Sequence, residues 1–79
     1  MTNLEKYNKL FLDAFPLTEG TLSNATYRKT PRWDSLAHMD LISSLEEAFC
    51  ISMETLDVMD FSSYEKGKTV LAKYGVEIP

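Results

Sequence analysis

The segment Arg32–Phe49, RWDSLAHMDLISSLEEAF, decides how the rest of the chain is read. Asp is a strong helix N-cap, because its carboxylate accepts a hydrogen bond from the amide of the second or third helical residue. Asp34 therefore predicts a helix that starts at Ser35 and runs to about Phe49. At about 100° per residue, Leu41, Ile42, Leu45, Ala48 and Phe49 fall on one side, the side expected to pack. Asp40, Ser43, Ser44 and Glu47 fall opposite. Leu36 and Met39 lie with these polar residues rather than with the core stripe, and Glu46 lies beside Met39. Two explanations fit. The apolar pair is tucked under the preceding loop, or it belongs to a docking surface in which apolar contacts are ringed by carboxylates. Methionine suits the second, because its thioether adapts to different pockets.

The cap has a further consequence. It places Ser35 in the first turn, beside amides that have no intrahelical acceptor and at the positive end of the helix dipole, where an anion is favoured. Ser35 is thus either an ordinary helix-start serine or an attachment point for a phosphate or phosphodiester. His38 lies toward the apolar side, in a packing role or in contact with a phosphate at Ser35. A hydrolase triad from Ser35, His38 and Asp40 is excluded: Asp40 points to a different side of the helix, and no nucleophile elbow or oxyanion hole is evident.

Outward from this segment the chain predicts three more helices. Leu4, Tyr7, Phe11, Ala14 and Phe15 recur at helical spacing, and Pro16 ends that helix. A long connection rich in Gly, Pro, Ser, Thr and Asn follows, and a connection of that length in so small a domain is usually functional or locally structured. A short third helix lies within METLDVMDF. A last helix begins at SSYEKG, where Ser62 and Glu65 have capping-box spacing. In it Tyr64, Gly67, Val70, Leu71 and Tyr74 share one face, with Lys66 and Lys73 opposite, and Gly67 permits close approach of a neighbour. No run alternates with period two, so no strand is expected. The fold class is all-α, a small four-helix bundle with one long crossover loop, in a single domain spanning residues 1–79.

Composition narrows the function. With 79 residues and 44% apolar content, the chain has material for one modest core. Its only cysteine, Cys50, forms no intrachain disulfide, and one His with one Cys makes no structural zinc site. The N-terminal residues MTNLEKYNKLFLDAF are interrupted by charges and read as neither a signal peptide nor a membrane span; the expectation is a cytoplasmic monomer. A net charge of −4, with no concentrated basic footprint, argues against nucleic acid and suits a protein partner with a basic patch.

WDSLAHMDLISSLEEAF also closely resembles the carrier-helix region of acyl carrier proteins, with their Asp-Ser-Leu motif. The likeness continues through SMETLDVMDFSSYEKGKTVLAKYGV, covering Pro31 to Val76. Besides Asp34-Ser35-Leu36 it involves Trp33, Leu41, Leu45, Glu46, Glu47, Phe49 and the Ser62-Ser63 start of the last helix. The WDSLAHM form looks most like stand-alone carriers of specialised biosynthetic pathways. The resemblance implies an acyl-carrier-type bundle in which Ser35 bears 4′-phosphopantetheine through a phosphodiester, with Asp34 and Leu36 completing the attachment motif. The arm's thiol would hold an acyl or aminoacyl group as a thioester. It further implies that Leu36, Met39, Asp40, Glu46 and Glu47 form the face that enzymes recognise. The implied partners are a phosphopantetheinyl transferase using coenzyme A, an acyl- or aminoacyl-activating enzyme, and a downstream acyltransferase or synthase; the carrier itself is no enzyme. Three departures from the pattern are Cys50 after Phe49, the absence of a proline in SMETL, and the basic Arg28, Lys29 and Arg32 before the serine. The alternative is a carrier-like bundle that is never modified and serves only as an interaction module.

Overall fold

A computed structural model describes all residues, Met1–Pro79. Four α-helices build it: α1 (Asn3–Ala14), α2 (Ser35–Phe49), α3 (Thr55–Asp60) and α4 (Tyr64–Ala72). There are no strands beyond one isolated bridge, Thr26 to Ser63. The all-α bundle expected from the periodicity is what the chain forms. No helix is long and apolar enough to cross a membrane.

Each helix boundary has a local cause. At the start of α1, Thr2 and Glu5 form a reciprocal capping box: the Thr2 hydroxyl accepts the Glu5 amide at 3.1 Å and the Glu5 carboxylate accepts the Thr2 amide at 2.9 Å. The Thr2 amide, and after it the Thr2 hydroxyl, hold the Glu5 carboxyl below the usual carboxylate range. The other end stops at Phe15, extended at φ −132° and ψ 156°, as a residue before proline must be. Ala14, read from its spacing as part of the apolar face, is exposed. It lies in the last turn, where the chain turns away and no neighbour covers it.

The α2 boundaries match the reading from sequence. Asp34 Oδ1 accepts the Ala37 amide at 2.9 Å. At the other end Cys50 adopts the left-handed conformation, φ 54° and ψ 48°, and its amide and that of Ile51 both bond to the Glu46 carbonyl. Start of α4 is shifted by one residue from expectation. Its cap is Ser63, whose hydroxyl accepts the Lys66 amide at 2.9 Å, so the anticipated Ser62–Glu65 capping box does not form. The reason is tertiary: the Ser62 carbonyl accepts Tyr27 N–H at 2.9 Å and the Tyr64 amide bonds back to Ala25 O at 3.0 Å. This bridge pins the residues before α4 to the crossover loop.

The crossover is an ordered cover. It contains a 3₁₀ turn at Leu22–Asn24 and buries Leu22, Ala25 and Thr30. Its apolar residues join a core dominated by rings. Phe11 lies 5.0 Å from Tyr7, 5.5 Å from Trp33 and 5.2 Å from Tyr64 between centroids, and Phe15 stacks on Trp33 at 5.0 Å. Leu41, Ile42 and Leu45 supply the α2 side of the core. Ala48 and Phe49, assigned to the same stripe, are only half-buried. There the Lys6 ammonium of α1 sits 5.9 Å from the Phe49 ring centroid. One buried polar contact crosses the bundle, from the Tyr7 hydroxyl to the Tyr64 carbonyl at 2.7 Å. Burial of that phenol, with the neighbouring Tyr64 and Glu65, pushes its ionisation far above the ordinary tyrosine range.

α3 differs from the other helices in that it buries no residue. Apart from the half-buried Val58, polar contacts hold it. Asp57 accepts from Lys73 Nζ at 3.0 Å and from the Tyr74 hydroxyl, while Tyr74 in turn accepts the Glu54 amide at 2.9 Å. Tyr74, expected on the apolar face of α4, lies just beyond its end, half-buried against the core, and its hydroxyl completes this clasp.

Candidate functional site

The N-terminal turn of α2 meets α3 at an open cavity of about 360 Å³. From α2 come Ser35, His38 and Met39; from α3 come Val58 and Met59; Tyr27 and Phe61 complete the lining. Ser35 is exposed at the mouth of this cavity, and its hydroxyl has no hydrogen-bond partner within the chain. Of the first-turn amides, that of Ala37 goes to the Asp34 carboxylate and that of His38 to the Asp34 carbonyl at 2.8 Å. The amides of Ser35 and Leu36 are left facing outward, as the first amides of any helix are. Asp34 is therefore occupied as a cap; its contribution is to fix where Ser35 stands.

His38 takes the packing role. It is buried, its Nδ1 lies 3.0 Å from the Trp33 indole nitrogen, and its Nε2 lies 2.8 Å from the Val58 carbonyl oxygen. An indole nitrogen only donates, so Nδ1 is the acceptor and the imidazole proton sits on Nε2, donated to Val58. Both ring nitrogens are engaged away from Ser35, which leaves none for a phosphate there.

Leu36 and Met39 are 79% and 53% exposed. The loop does not cover them, so the tucked-under explanation fails for both. Asp40 and Glu47 are exposed beside them on α2. Glu46 stands differently from the expectation that it is a free carboxylate on the polar face. It is half-buried, and its Oε2 accepts the Met53 amide at 2.7 Å. That bond ties the end of α2 to the turn leading into α3, so Glu46 has a structural task whatever else it contacts.

Sequence reasoning missed half of the exposed apolar surface. Leu56 and Met59 of α3 are 73% and 72% exposed. They stand three residues apart, which puts them on one helix face, and this spacing was the available signal. Its meaning depended on knowing that α3 buries nothing. On the other side of Ser35, Arg28, Lys29 and Arg32 are exposed and make no ion pair, and both arginines have φ 72°. No group of His, Cys, Asp and Glu side chains is arranged to hold a metal.

No family model, curated protein or solved structure matches this chain.

Proposed function

We propose that the chain is an acyl carrier protein: a four-helix carrier of acyl-carrier type whose Ser35 bears 4′-phosphopantetheine, and which presents acyl or aminoacyl groups to biosynthetic enzymes as thioesters. The observation that carries this reading is the position of Ser35. It is an exposed, unpartnered hydroxyl in the first turn of α2, at the mouth of a cavity between α2 and α3. A phosphodiester there meets the outward amides and the positive end of the helix dipole, and an arm attached there has the cavity beside it.

The surroundings support the same reading. Leu36, Met39, Leu56 and Met59 form exposed apolar ground on both helices that border the cavity, with Asp40, Glu47, Glu54 and Asp60 exposed on the same two segments. Such a surface suits an enzyme with an apolar contact ringed by Lys and Arg. In this reading the bundle supplies recognition and positioning, and the arm supplies the chemistry. The partners are the transferase that installs the arm from coenzyme A, an activating enzyme that loads it, and an acyltransferase or synthase that unloads it.

Intact mass spectrometry after incubation with coenzyme A and a broad-specificity phosphopantetheinyl transferase tests the proposal. The expected product carries one phosphopantetheine, and Ser35→Ala abolishes the addition. Addition that survives Ser35→Ala, or none with several competent transferases, overturns it in favour of an unmodified interaction module.

A further inference from the structure

We propose that His38 is a proton-operated pin: one imidazole joins the residue two positions before Ser35 to α3, and a second proton on that ring releases α3 from the cavity. The inference rests on the carrier reading only for why the cavity matters, and its geometry stands without it.

The ring makes two bonds that demand one protonation state. Trp33 donates its indole N–H to Nδ1 at 3.0 Å, and Nε2–H donates to the Val58 carbonyl at 2.8 Å. A proton added at Nδ1 would set two donors against each other at that distance. The indole has no other way to satisfy the contact, because it carries no lone pair for a hydrogen bond. Trp33 is 1% exposed and held by Phe15 and Phe11, so the imidazole is the partner that moves. Any rotation or shift of the ring also breaks its bond to Val58.

α3 is built to respond. It buries no residue and spans only Thr55–Asp60. On the α4 side Asp57 anchors it through Lys73 and Tyr74; toward α2, the His38–Val58 bond is its only side-chain hydrogen bond. Losing that bond leaves α3 held by the Asp57 clasp, by the half-buried Val58 and by Phe61 just past its end, so the release is a loosening of Val58 and Met59 at the cavity beside Ser35.

The groups around the ring leave the imidazole to act by itself. Tyr27 lies 5.0 Å from it between ring centroids, and Trp33 and Phe61 cover other sides. The charged residues on the surrounding elements are Arg28, Lys29 and Arg32 of the loop, Asp34 at the cap of α2, Asp40, Glu46 and Glu47 of α2, and Asp57 and Asp60 of α3. None of them forms an ion pair with the ring. No neighbouring carboxylate is therefore placed to compensate the added charge.

The chain has a single tryptophan, so its indole N–H gives one unambiguous NMR signal. The experiment follows that signal, the His38 ring and the α3 amides from about pH 8 to pH 5. Expected is a common midpoint for all three, with the hydrogen-exchange protection factors of the indole and of the Val58 and Met59 amides falling about tenfold or more across it. His38→Gln, which has no titrating group, should show no such transition. Trp33→Phe, which removes the opposing donor, should let the ring titrate while α3 stays protected. Ser35→Ala should behave as the unaltered chain, which separates failure of this inference from failure of the carrier reading. The proposal is overturned if the ring titrates without a change in α3, if it takes no second proton down to pH 5, or if His38→Gln retains the transition.

Discussion

The Glu46 carboxylate accepts the Met53 amide at 2.7 Å, and so fastens the last turn of α2 to the strand-free segment that leads into α3. A residue that spacing alone puts on the outer face is thereby part of the frame. Glu46→Lys removes the acceptor and leaves a partly buried amide without a partner, at a cost of about 1–3 kcal/mol. Glu46→Gln keeps an acceptor and should lose less. Urea unfolding midpoints of the two variants check this, and equal midpoints for Glu46→Lys and the unaltered chain would show that the bond contributes nothing.

The two sides of α2 should separate in stability measurements. Leu45 is fully buried, and truncating such a residue to alanine costs about 2–5 kcal/mol. Phe49 is half-buried, so Phe49→Ala should cost clearly less than a core phenylalanine would. Met39→Ala, at an exposed position, should stay within about 0.5 kcal/mol. Helical circular dichroism against temperature should rank the variants in the order Leu45, Phe49, Met39. Equal melting would mean that α2 has no distinct core and outer sides.

Gly67 is the tightest point of the bundle. A Cβ there would overlap the Tyr7 hydroxyl and the Phe61 ring. In an open helix Gly→Ala gains about 1 kcal/mol of propensity, but forced overlap in a packed core costs about 1–3 kcal/mol or more. Since the Tyr7 hydroxyl is held on the Tyr64 carbonyl and Phe61 is 1% exposed, neither neighbour yields easily. Gly67→Ala should lower the denaturation midpoint. Adding Tyr7→Phe should recover only part of the loss, because the Phe61 ring remains. A stabilised Gly67→Ala would refute the close approach.

The Asp57 clasp gives a pH dependence with a definite sign. The Tyr74 hydroxyl and Lys73 hold its carboxyl below the usual carboxylate range in the folded chain, and Lys73 and Tyr74 are correspondingly raised. A carboxyl lowered by folding stabilises fully above its unfolded value of about 4, and that contribution disappears as pH falls through the lower folded value. Asp57→Asn should therefore be less stable than the unaltered chain at pH 7, with the difference closing below pH 4. Denaturation of both at pH 7, 4 and 3 decides it; a gap as large at pH 3 as at pH 7 would assign the effect to packing.

The parts of the fold set by nearest neighbours in the chain were legible beforehand. Asp34 had only to reach the Ala37 amide three residues on, and so the start of α2 could be read from its cap. Pro16 constrains Phe15 directly, and so could the end of α1. Where a distant segment supplied the partner, local rules failed. Ser63 displaced Ser62 as the α4 cap because Ser62 was already paired with Tyr27 across the loop. Glu46 left the outer face for an amide seven residues ahead.

The same division holds at the site. Sequence by itself determined that Ser35 follows a capping aspartate, that an anion is favoured there, and that Leu36 and Met39 lie off the core stripe, because each depends only on helix geometry within one or two turns. Tertiary structure decided which apolar residues stay uncovered. Leu56 and Met59 are exposed because α3 turns only Val58 toward the core and is otherwise held by polar contacts of Asp57, Tyr74 and the Val58 carbonyl. It also decided the state of His38, whose tautomer follows from an indole on one side and a carbonyl twenty residues away on the other. Helical periodicity says which direction a side chain leaves its own helix; what it meets there depends on how the other segments pack.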